Sequence, residues 1–202
     1  MANTNAPSGL SPVQYLNGAP WTGGGRVYCI PDTDDTNAYA IGDPVASAGS
    51  SDAAGIPTIT LATAGTGNAI RGVIVSMGGT KYGAALVDPV DLNNMFIPAT
   101  KARSYYVLVC DDPIVIFEAQ EEATGTAFAA AQVGLNANLV SGTHNNYVSG
   151  WQIDRTSPAT TSTLQVRLLQ LAPRAAGNAF GDYAKWWVLI NNHELKAGVA
   201  GV

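Results

Sequence analysis

Residues 103–122 read RSYYVLVCDDPIVIFEAQEE. Two strand-like runs flank Asp111-Asp112-Pro113. The first, through Tyr105–Cys110, is apolar on both faces, which predicts a central place in a sheet. The second alternates towards its end, with Phe117 and Ala119 opposite Glu118 and Gln120. Such a pair, with turn residues between, points to β structure on either side.

Upstream, RVYCI (26–30) is strand-like and is followed by an Asx-rich turn in PDTDDTN. A second extended piece ends at Gly42-Asp43-Pro44. IPTITLATAGTGNAIRGVIVSM (56–77) reads as strand, glycine-rich hairpin turn, strand, with Val73 and Val75 alternating with Ile74 and Ser76. Downstream, YVSGWQID, STLQVRLLQL and AKWWVLINNHEL are further strand candidates. In the second of these, Leu164, Val166 and Leu168 share one face and Gln165 and Arg167 the other. One short helix is expected near Thr124–Val133, where a threonine cap, alanines and a glycine stop follow in order. Many short strands at close intervals predict an all-β fold, a β-sandwich or barrel of jelly-roll-like kind, with one or two short helices.

The first 24 residues differ in character. They are rich in Asn, Pro and Gly, yet carry Leu10, Tyr15, Leu16 and Trp21. In LSPVQYLNG, Ser11 at an N-cap, Pro12 at N1 and Gln14 at N3 make a capping box, and Leu10 and Tyr15 a hydrophobic staple. One helical turn over Pro12–Asn17 is therefore expected, ended by Gly18. So short a helix has to dock on something. The expected organisation is an extended N-terminal arm, 1–24, and a single β-rich domain, 25–202.

The chain has 202 residues, of which 12% are charged, and a formal net charge of −5. That charge content is low for a soluble domain, which predicts a surface of Thr, Ser, Asn, Gly and Ala, partly covered by other protein. Ten Lys and Arg in an acidic chain give no footprint for nucleic acid or an anionic membrane. No apolar run is long enough for a membrane-spanning helix, and no secretory signal opens the chain. A protein made and kept in a cytoplasm is expected. Cys29 and Cys110 both fall in strand-like runs and are expected as buried free thiols. A disulfide would need their strands to be neighbours.

Catalytic chemistry is sparse. His144 and His193 lie in polar, Asn-rich stretches without a G-x-S-x-G elbow, and surface hydrogen bonding is expected of them. Asp32, Asp34 and Asp35 resemble the start of a calcium loop. Asn37 stands where glycine is needed and Asp43 where the final Glu belongs, so an Asx-rich turn is expected. Glu118, Glu121 and Glu122 could pair as glycosidase carboxylates do, but a solvated strand end suits them better. Neither a zinc nor a dinucleotide signature occurs. The chain is expected not to be an enzyme and to need no cofactor. Adjacent Trp186 and Trp187 must point to opposite faces of a strand, so that one, Trp187, can serve as an interface anchor.

The runs at 105–122, 129–140 (AAAQVGLNANLV), 160–171 (TTSTLQVRLLQL) and 181–195 (GDYAKWWVLINNHEL), with the LSPVQYLNGAPW arm and IGDPV, resemble a family of tailed-phage virion proteins. The resemblance covers nearly the whole chain, and its motifs are structural. It implies a capsid decoration, or cement, protein on the exterior of the capsid. The implied partners are the major capsid protein and further copies of the chain, as a dimer or trimer. No functional residues carry over. In this reading Leu10, Tyr15, Leu16, Trp21 and Trp187 are the candidate partner contacts. Two alternatives are another virion component, such as a tail-tube, head–tail joining or head-fibre base protein, and a carbohydrate-binding sandwich using Trp21, Trp151 or Trp187 as a platform.

Overall fold

The computed structural model describes residues 3–78, 96–144, 147–174 and 177–196. In chain order the strands are β1 (Ser11–Tyr15), β2 (Arg26–Ile30), β3 (Tyr39–Ala40), β4 (Pro44–Ser51), β5 (Pro57–Leu61), β6 (Gly72–Met77) and β7 (Phe96–Ile97). They continue as β8 (Tyr105–Cys110), β9 (Val115–Gln120), β10 (Asn136–Ala137), β11 (Leu139–Val140), β12 (Gln152–Ile153), β13 (Val166–Leu171) and β14 (Lys185–Ile190). The fold is all-β, with barrel and sheet both present. Strands β2-β5-β4-β6-β8 close a barrel, and β1-β9-β14-β13-β10 form a five-stranded antiparallel sheet.

Asp111-Asp112-Pro113 is where the chain leaves one layer for the other. Strand β8 lies between β2 and β6 in the barrel wall, and β9 lies between β1 and β14 in the sheet. Two cores follow from this layout. Tyr28, Ile30, Val45, Ile59, Ile74, Val107 and Val109 fill the barrel. Phe117, Val166, Leu168, Trp186 and Val188 pack from the sheet against Ile70, Val73 and Cys110 of the barrel side. The alternation of β6 serves both, since Val73 joins the second core and Ile74 the first.

Three local expectations are corrected. Pro12–Asn17 is not helical: Ser11–Tyr15 is a strand paired antiparallel with β9, Ser11 opposite Glu118 and Tyr15 opposite Val115. A single helical turn gains one or two internal hydrogen bonds, whereas the open edge of β9 offers a ladder and a core for Leu10 and Tyr15. Pro12 is tolerated because the register shifts between Pro12 and Gln14 at this edge. Gly18, at φ +85°, turns the chain back so that Gln14 bridges Pro20. Near Thr124–Val133 only a 3-10 turn forms, Ala130–Gln132. Phe128 is its one buried anchor, and the alanines beside it bury nothing that would hold a longer helix.

The glycine-rich stretch after β5 is not a hairpin turn either, because β4 lies between β5 and β6. It crosses to the sheet instead. The Gly67 N–H donates to the Thr163 carbonyl at 2.9 Å, and Ile70 makes a parallel bridge to His193. Gln165 holds the crossing. Its amide nitrogen donates to the carbonyls of Thr63 (3.0 Å) and Asn68 (3.1 Å), and its oxygen accepts from the N–H groups of Gly65 and Leu139. A fully buried amide with both donors and both acceptor sites used is a rigid joint.

Candidate functional site

The N-terminal segment is stitched to the body of its own chain. The Asn3 side chain donates to the carbonyls of Ala179 and Asp182 and accepts from the Ala179 N–H. Gln120 takes the Thr4 carbonyl and the Ala6 N–H. The Leu10 N–H donates to Gly42 at 3.0 Å, and its side chain, 1% exposed, belongs to the second core. Of the four apolar residues expected to reach a neighbour, Leu10 is therefore consumed internally. Tyr15 and Trp21 pack half-buried against the same core. Leu16 is 51% exposed, its N–H donating to Ile114, which is itself 45% exposed.

Trp187 lies on the face of β14 opposite Trp186, as alternation requires. Trp186 points inward, its indole N–H donating to Glu121 Oε2 at 3.2 Å and its ring edge-on to Phe128 at 5.6 Å. Trp187 stands half-buried on the outer face, opposite Glu118 on one side and Gln170 on the other. Leu189 and the buried Ile116 are the next pair on that face, and just past the strand ends Leu16 bonds Ile114. Glu118, paired with Arg174 and with Lys185 at 3.6 Å, makes its polar border. Trp187 and Leu189 thus alternate on this face with Glu118, Gln170 and Arg167, the mixed apolar and polar make-up common to protein contact surfaces.

A second feature is a cleft of about 520 Å³ at the junction of the layers. Tyr15 and Trp21 line it together with Asp111, Asp112 and Arg26. Asp111 Oδ2 accepts from the Tyr28 hydroxyl at 2.6 Å, and the Arg71 Nε donates to that hydroxyl at 2.9 Å. Burial and the Asp111 carboxylate push the Tyr28 hydroxyl up to about 12. Trp151, one of three tryptophans considered as a sugar platform, is buried.

Among the described residues the two histidines and the glutamates lie in separate places. His193 is corrected from a surface residue to a fully buried one. Its Nδ1 accepts from the Leu195 N–H, and burial, helped by the charge of Arg71, holds the ring down to about 4. His144 Nε2 lies 2.9 Å from the buried Asp43 Oδ2, which raises its pKa. The three glutamates part company. Glu118 is on the outer face. Glu121 is buried, corrected from a solvated strand end, and burial pushes it up to about 7 against the pull of Arg155.

The calcium-like loop is filled from within. The Lys101 ammonium donates to the carbonyls of Asp34, Asn37 (2.7 Å) and Ala99 (3.0 Å), and it stands over the Tyr39 ring. Among the described residues no group of three His, Cys, Asp or Glu is placed to hold a metal ion. Cys29 and Cys110 are buried and not joined in a disulfide. Their strands are neighbours, but Cys29 stands opposite Tyr106, four positions from Cys110.

Arg26, Asp111 and the clamps Gln120 and Gln165 were not singled out by sequence. The available signal was slight: Gln120 closes β9, and Gln165 stands just before β13. Comparison with protein-family models, with curated proteins and with solved structures returned no match.

Proposed function

We propose that the chain is a structural virion protein that binds the outer surface of an icosahedral phage capsid, bridges adjacent capsomers and stabilises the shell. The observation that carries this reading is the outer face of the five-stranded sheet, with Trp187 at its centre and exposed Leu16 and Ile114 at its end. A half-buried tryptophan with Leu189 beside it on the strand and the ion pairs of Glu118 on one flank offers the side-chain type enriched at binding hot spots. The low charge content and the family resemblance of the sequence support the same reading. Each contact adds binding energy across a capsomer boundary, and anything that binds only the assembled shell raises the temperature at which it comes apart.

The test is co-sedimentation with shells that lack the protein. Deleting residues 1–24 is the wrong variant, because it removes β1 and the Leu10 core residue. Trp187→Ala and Leu16→Ala leave the core intact. Wild type is expected to saturate at hundreds of copies per shell, and Trp187→Ala to weaken binding at least about thirtyfold, as hot-spot truncations do. Saturation at only about a dozen copies, the number a ring at a single vertex would give, would assign the chain to the head–tail vertex. No binding would overturn the reading.

A further inference from the structure

The cleft between barrel and sheet has the chemistry of a socket. Its volume, about 520 Å³, is that of a side-chain or small-ligand site. Tyr15 and Trp21 give it aromatic walls, the nearly buried Asp111 its floor, and Asp112 and Arg26 its rim. Glycines let the chain run close behind its wall. A Cβ on Gly24 would stand 3.3 Å from the Tyr15 hydroxyl, and one on Gly25 only 2.6 Å from the Val109 carbonyl oxygen. The residues expected to fill pockets elsewhere thus wall a pocket here.

The charge pattern selects the occupant. Two carboxylates face one guanidinium. That guanidinium is loosely held: Arg26 Nε is 3.6 Å from Asp111 Oδ2, beyond hydrogen-bond distance, and its side chain is 69% exposed. Asp111 is fixed instead by the Tyr28 hydroxyl, and Asp112 Oδ1 by the Ile114 N–H at 3.0 Å. The Trp21 indole N–H is already committed to the Gly24 carbonyl at 3.2 Å, so the ring brings the cleft no spare donor. Aromatic faces beside carboxylates attract organic cations, the rings by their quadrupole and the carboxylates by charge-assisted hydrogen bonds. The net charge of −5 acts in the same direction.

The geometry points to a socket for a basic side chain, arginine or lysine, presented by a protein partner. That the partner is a shell subunit rests on the function proposed above; the chemistry of the socket does not. Arg26 is the chain's own competing cation at the mouth of the site. Removing it strengthens binding of a cation and would weaken binding of an anion.

The test uses the full chain, labelled with nitrogen-15 and titrated into the millimolar range with N-acetyl-arginine amide. The neutral isostere N-acetyl-citrulline amide serves as control. The readout is the Trp21 indole N–H resonance, assigned with Trp21→Phe. A saturable shift with the arginine compound alone is expected. Asp112→Asn, which keeps the acceptor for the Ile114 N–H, should weaken it about tenfold, the worth of one hydrogen bond to a charged group. Arg26→Ala should tighten it. No shift, an equal shift with citrulline, or weaker binding in Arg26→Ala would overturn the socket. Shells take no part in the readout, so a failure here is separate from a failure of shell binding.

Discussion

The side-chain amide of Gln120 donates at 2.9 Å to the carbonyl of Thr4, 116 positions earlier in the chain. It donates equally to Tyr183, while its oxygen accepts from the Ala6 N–H. One buried side chain thus joins the N-terminal segment, the end of β9 and the loop before β14. Gln120→Ala is expected to cost about 1–3 kcal/mol, the penalty for orphaned buried partners. The urea midpoint reads the loss, and hydrogen exchange should locate it in residues 3–10. Unchanged exchange there would show that the stitch is not what holds the segment.

Leu10 allows a sharper test of the same segment. As a 1% exposed member of the second core, it should cost about 2–5 kcal/mol when cut to alanine. Leu16→Ala, at an exposed site, should stay within about 0.5 kcal/mol. Equal effects would mean that the segment does not dock as described.

Lys101 is buried with three carbonyls on its ammonium and an aromatic face beside it. Lys101→Met keeps the stem and removes the charge, leaving those carbonyls without a donor. A loss of about 3 kcal/mol is expected in denaturant unfolding. A neutral result would show that the 34–37 turn holds itself.

Two buried groups set opposing pH dependences. Glu121 is raised from 4.5 to about 7, so across that interval the folded chain keeps a proton that the unfolded chain has released. Its stabilising effect is complete at low pH and declines as pH rises. His193 is lowered from 6.5 to about 4, so there the unfolded chain holds the extra proton and stability grows as pH rises. His144, raised by Asp43, adds to the decline above 6.5. The urea midpoint should be nearly level from pH 4.5 to 6.5 and fall above it. Glu121→Gln should turn the level stretch into a rise, and a profile unchanged by this substitution would contradict the assignment.

The two thiols should be silent in the folded protein. Both are buried, and burial pushes Cys110 up to about 12. An aromatic disulfide reagent is expected to titrate both only after unfolding, and no internal disulfide should form.

The strands flanking Asp111-Asp112-Pro113, the alternation of β6 and the opposed faces of Trp186 and Trp187 were legible because each follows from neighbouring residues. The strand at Ser11–Tyr15 was not. Its capping box is a genuine local preference, overruled by the edge of β9, which lies about a hundred residues away in sequence. Gln120 and Gln165 escaped notice for a related reason. A glutamine in a strand reads as solvent-facing until its partners, brought from distant loops, are known. The cleft was half legible: its aromatics were noticed as candidate partner contacts, but what they enclose depends on where β8 ends.

The sheet order β1-β9-β14-β13-β10 has a consequence for how the chain is made. Strand β1 pairs with one synthesised roughly a hundred residues later, and the inner neighbour of that strand, β14, is made later still. The barrel, complete once β8 has emerged, can close while the sheet still waits. Folding should therefore proceed in two stages, an early barrel and a sheet assembled only once β14 has emerged, from long-range pairings, the slow kind. Until then Leu10, Tyr15 and the flank of β9 stand unpaired, and in a crowded cell that interval is when the nascent chain is most exposed to mispairing with another copy of itself.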